Sequence, residues 1–159
     1  MPTYQYKPVE LVEVPPDGTQ RAETINAPTT SDFYIGQVVK IVSGNATAIA
    51  GTDTTGFYMV VRDNSPRPPE GSFVDKGIPG WLAEKPATIN AMSVSGKRAV
   101  ITAKGTLAAA NIGASFGLTQ VGEFTALDLA NTTTAAATIL AAVEGRPGDT
   151  NPRVLVKFN

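Results

Sequence analysis

The run Gly113-Ala114-Ser115-Phe116-Gly117 has the spacing of a nucleophile elbow, the tight turn that presents a serine hydroxyl to an acyl substrate. A serine attacks only when a nearby base takes its proton, and the chain contains no histidine. Lysine serves as that base in other arrangements, yet no Ser-x-x-Lys spacing occurs, and Lys97 and Lys104 flank what reads as an exposed hairpin. Gly96-Lys97 is the one Gly-Lys pair that a phosphate-cradling loop could use. It fails at both ends, because Ala91 stands where the first glycine is needed and Arg98 replaces the hydroxyl residue. Asp63, Asp75, Glu123, Asp128 and Asp149 could supply the paired carboxylates of a glycosidase, but each has a loop-like context in which a solvated acid is the ordinary role. Gly51-Thr52-Asp53-Thr54-Thr55 offers a single carboxylate where calcium asks for several oxygen ligands around a glycine. The absence of cysteine removes thiol catalysis, Fe–S clusters and every cysteine-containing zinc site. The expectation is therefore no catalytic residues, no metal site and no cofactor.

Recognition chemistry is equally sparse. Tyr4 and Tyr6 with Lys7, and Phe57-Tyr58 with Arg62, pair aromatic rings with a cation, as single-stranded nucleic-acid binders do. Neither group has surrounding positive charge: the net charge is -1 and the pI about 5.4, so nucleic acid is not an expected partner. A membrane is not expected either, because the low-polarity stretch from Thr132 to Val143 falls well short of the roughly 20 apolar residues a span requires. Trp81, the single tryptophan, stands in a proline-rich stretch as either a local anchor or an interface hot spot.

The elements that must position these residues follow from composition and pattern. Of 159 residues, 42% are hydrophobic and only 17% charged, against an average near 25%. Fifteen glycines and twelve prolines make a turn-rich chain with an unusually neutral surface, which suits association. Residues 1–32 are punctuated by Pro2, Pro8, Pro15, Pro16 and Pro28, with Val9-Glu10-Leu11-Val12-Glu13-Val14 between them. Proline disfavours helices and central strands, so this stretch reads as an extended N-terminal arm outside the core. Its candidate partner-binding residues are Tyr4, Tyr6, Pro8, Val9, Leu11, Val12 and Val14, joined by Trp81 from the loop or insertion over residues 66–85. Deleting the arm is expected to leave a folded domain.

Residues 33–159 read as a single β-rich domain. Strand signals cover Phe33 to Val42, Phe57 to Val61, Ala87 to Val94, Ala99 to Ala103, Thr138 to Val143 and Val154 to Phe158. Ser95-Gly96-Lys97-Arg98 predicts a hairpin turn between the third and fourth of these. Thr106 to Asn111 predicts one or two short helical turns with a hydroxyl cap. Short strands with Gly/Pro turns indicate an all-β fold, a small β-sandwich or barrel, and no 20- to 50-residue period repeats.

Gly36-Gln37-Val38-Val39-Lys40-Ile41-Val42-Ser43-Gly44, then Ala50 to Val61, and late in the chain Thr138 to Val143 and Gly148 to Phe158, resemble in style and order the capsid decoration (cement) proteins of tailed phages. The resemblance covers roughly residues 33–62 and 97–159. It implies a structural virion protein, made in the host cytoplasm and bound to the outer capsid surface. Its implied partners are the major capsid protein and itself, as a homodimer or homotrimer. It carries over no functional residues. The competing reading is a carbohydrate- or host-surface-binding module built around Trp81.

Overall fold

A computed structural model describes residues 2–12, 22–27, 33–63 and 87–159. The fold is all-β. Its strands are β1 (Glu10–Leu11), β2 (Glu23–Ala27), β3 (Val38–Val42), β4 (Asn45–Ala48), β5 (Phe57–Asp63), β6 (Ala87–Ser93), β7 (Arg98–Lys104), β8 (Ser115–Val121), β9 (Phe124–Asp128), β10 (Ala137–Glu144) and β11 (Arg153–Phe158). The β-branched run of β3 turns back into β4 through Ser43 and Gly44, both at positive φ (50° and 80°), the two-residue hairpin turn whose twist matches its strands.

Strands β2 to β6 close into a barrel in the order β2-β4-β3-β5-β6. The later strands run β7-β11-β10-β8-β9, and a parallel pairing of β9 with β7 closes them into a second ring. Strand for strand, the two rings have the same connectivity. The first strand lies parallel to the third, the second and third form a hairpin, the second pairs with the fourth, and the fifth returns to the first.

The registers coincide as well. Asn26↔Asn45 matches Thr102↔Ala126, Val39↔Tyr58 matches Phe116↔Ala137, and Val60↔Ala91 matches Ile139↔Val156. A β-bulge follows Val60 in one ring and Ile139 in the other. This correspondence pairs Ile25, Ala27, Val39, Ala46, Val60, Ile89 and Ala91 with Ile101, Ala103, Phe116, Leu127, Ile139, Val154 and Val156, and all of them are buried. The molecule is built from two copies of one five-stranded barrel.

The copies meet asymmetrically. Period-2 alternation sends Val39 and Val60 into the first barrel, while Val38, Phe57 and Met59 face outward. Those outward residues join one hydrophobic cluster with Ala99, Ile101, Val156 and Phe158 of the second barrel, and the Phe57 and Phe158 rings lie 6.0 Å apart. One barrel's outer face plugs the other's mouth.

Several expectations change. The boundary at residue 32 is not structural: β2 is a barrel strand, Ile25 and Ala27 are buried, and Val9 belongs to the shared core. Removing residues 1–32 would therefore open the first barrel instead of trimming an arm. Residues 2–12 supply the short strand β1 and lie along their own molecule; alternation reveals which side a residue faces and not which neighbour it meets. The hairpin across Ser95-Gly96 does not form: β6 and β7 belong to different barrels, and that turn carries the chain from one to the other. The helical signal shrinks to a single 3₁₀ turn, Ala109–Asn111, where Asn111 Oδ1, not a hydroxyl, accepts the Ala108 N–H at 2.7 Å. Val14, Trp81 and the 66–85 insertion lie outside the described residues.

Candidate functional site

Residues 2–12 form a strap along the second barrel and across the junction with the first. Its start is tied to the loop before β11: Thr150 N–H donates to Pro2 O (3.0 Å) and Tyr4 N–H to Thr150 O (2.9 Å). Tyr6 Oη donates to Asn151 Oδ1 at 3.4 Å. Burial, and then the negative charge of Asp128, push the Tyr6 phenol above its ordinary range. Lys7 Nζ reaches Glu144 at 2.9 Å, and that hydrogen bond holds the Glu144 carboxyl below its usual value. Val9 N–H donates to Gly36 O (3.1 Å), β1 then pairs antiparallel with β7, and Val12 N–H donates to Arg98 O (3.1 Å).

Two features fix the strap at the junction. Arg153, almost fully buried on β11, donates through Nη1 to Pro8 O (3.2 Å) and brings Nη2 within 3.6 Å of Glu10 on the strap. Gly36 has φ +83°, and a Cβ there would lie 2.5 Å from Pro8 Cβ, so only glycine lets the strap pass so close.

Where the strap crosses, Pro8, Phe33, Tyr34, Ile35, Phe124 and Glu123 line an open cleft of about 390 Å³. The strap, the entry to β3 and the β8–β9 hairpin each contribute a wall. Ile35 is 63% exposed and Tyr34 37%, although both are large and apolar, and such residues grouped in a concavity mark a contact site. Glu123 gives the rim one negative charge.

Several of the residues weighed for chemistry make hydrogen bonds within the fold. Ser115 Oγ shares a 2.7 Å hydrogen bond with Thr138 Oγ1 across β8 and β10. Asp149 is buried and uses Oδ2 to accept the Arg146 N–H at 3.0 Å, shaping its own loop. Asp128 Oδ1 accepts the Ala130 N–H. Lys97 Nζ donates to Ser93 O at 2.6 Å, and burial lowers its ammonium pKa. Asp53 Oδ1 lies 3.5 Å from Lys40 Nζ, and Asp53 Oδ2 accepts the Ala50 N–H. Among the described residues no three acidic, histidine or cysteine side chains gather as metal ligands, and no helix is long and apolar enough to cross a membrane.

Of the expected partner-binding residues, Tyr4, Tyr6, Pro8, Val9, Leu11 and Val12 are brought together on the strap. Most of them face their own barrels, while Pro8 lines the cleft and Val12 is exposed. Phe33, Tyr34, Ile35, Phe124 and the clamp Arg153 were not singled out by the sequence, and Glu123 stood out only as a carboxylate, not as part of a contact site. The available signal was Tyr34-Ile35 before a glycine, two large apolar residues at a turn. No family model, no curated protein and no solved structure matches the chain.

Proposed function

We propose that this is a structural virion protein, a capsid decoration or cement protein that binds the outer face of an assembled phage shell and braces its subunit junctions. The reading assigns it no reaction, metal or cofactor. The major capsid protein is the partner, and self-association as a homodimer or homotrimer raises avidity at each seam. The open cleft with exposed Tyr34 and Ile35 is the observation that carries the reading. A two-barrel body with few charged residues can approach other subunits with little desolvation cost. A ligand that binds only the assembled state stabilises that state by mass action.

Co-sedimentation with purified shells tests the site. Ile35→Asp puts a charge where an apolar contact is expected, and it should weaken binding by roughly tenfold or more while leaving the melting curve unchanged. Undiminished binding by that variant would remove the cleft from the docking surface.

A further inference from the structure

The correspondence between the barrels brings out a place where, among the described residues, one copy is filled and the other is open. On the second barrel the strap occupies the edge of β7: Glu10 pairs with Val100, Leu11 with Ala99, and Arg98 O accepts from Val12 N–H. The shared register maps Arg98, Ala99 and Val100 onto Ala22, Glu23 and Thr24. We infer that this edge of β2 accepts an extended segment of a partner protein, running antiparallel to β2 and carrying lysine or arginine opposite Glu23.

The backbone supports an acceptor here. One side of β2 is taken by β6 along its whole length, whereas the other side pairs with β4 only at Asn26↔Asn45. Strand residues alternate the direction of their N–H and C=O groups, so Ala22 and Thr24 aim theirs the same way as Asn26, past the end of the β4 pairing. Among the described residues nothing hydrogen-bonds them on that side. Backbone groups in that position are a template for an added strand.

Charge selects the occupant. The filled slot is flanked by Arg98 and Arg153, and the strap places Glu10 there. In the open slot Ala22 stands for Arg98, Thr88 for Arg153 and the exposed Glu23 for the buried Ala99. The strap of a second copy would set the apolar Leu11 opposite Glu23 and leave that carboxylate without a counter-charge, whereas a cationic segment pairs with it. That the donor is a shell subunit rests on the docking reading above; the slot itself does not.

Amide spectra of the isotope-labelled full chain test the slot without any shell. The probe is a capped peptide of alternating valine and threonine with one central lysine, compared with its glutamate counterpart. The lysine peptide should shift the Ala22 and Thr24 amides and bind about three- to fivefold tighter than the glutamate peptide, as expected for one exposed charge pair. Glu23→Lys should reverse that order, and Thr24→Pro, which deletes an outward N–H, should abolish the shifts. Because Glu23 is exposed, Glu23→Lys keeps the test independent of any folding defect in Thr24→Pro. The inference is overturned if neither peptide moves those amides, if charge reversal leaves the order unchanged, or if Glu23→Ala makes the free chain self-associate through this edge. If shells bind wild type, Glu23→Lys and Thr24→Pro equally, the slot is unused there while docking stands; if shells bind none of them, docking fails and the peptide result stands alone.

Discussion

The two barrels share strand order, register and bulge position, yet they differ at their ends, and the difference explains why one barrel is the plug and the other the socket. The first barrel's outward face of Val38, Phe57 and Met59 is buried against the second barrel's Ala99 and Phe158. The equivalent face of the second barrel carries Ser115, Ala136 and Thr138, and the equivalent mouth of the first carries Glu23 and Ser93. A head-to-tail contact repeats without limit when both ends stay complementary. Here the equivalent positions have lost that complementarity: Ser115 and Thr138 stand for Val38 and Met59 and hydrogen-bond to each other, and Glu23 stands for Ala99. The same module thus serves once as a plug and once as a socket.

Breaking the plug should have the largest effect. Phe57→Ala removes a fully buried ring from the junction and is expected to cost about 3–5 kcal/mol in denaturant unfolding. If the plug couples the barrels, the variant should also lose its single transition; one sharp transition with a loss below about 1 kcal/mol would show that the barrels are joined by something else.

The strap distinguishes the barrels next, since the described strap residues add a strand only to the second. Gly36→Ala combines a left-handed backbone with a Cβ driven against Pro8, and about 1–3 kcal/mol of destabilisation is expected. Faster exchange of the Val9 and Val12 amides should accompany it. Unchanged exchange at both would mean that the strap does not depend on this close approach.

The smallest effect concerns acid. Glu144 has a lowered carboxyl pKa because Lys7 donates to it, so its contribution is complete above the ordinary value of 4.5 and fades as pH falls below that through the lowered value. Strap amides should loosen in that window before the barrels unfold, and Glu144→Gln should remove the pH dependence. A strap equally protected on both sides of the window would separate it from this ion pair.

The sequence disclosed these regions unevenly. Strands β3, β5, β10 and β11 were legible because β-branched or alternating apolar runs coincide with them. Strands β8 and β9 were not, since Gly117, Gln120 and Gly122 dilute the pattern and the serine drew attention as chemistry. The duplication was hidden because only Ile25/Ile101 and Ala27/Ala103 are identical among the seven buried pairs; size and spacing persisted while identity drifted. The strap was legible as extended chain, but its resting place depends on the bare α-carbon of Gly36 and on Arg153, distant in sequence. The cleft arises where three segments converge, which no local pattern encodes.

The rupture temperature of purified shells measures directly whether the protein braces an assembled surface, as proposed above. Saturating shells with the protein should raise that temperature in proportion to occupancy, and Ile35→Asp should lower the occupancy reached at a given concentration. Shells that bind the protein fully and rupture at an unchanged temperature would contradict the claim.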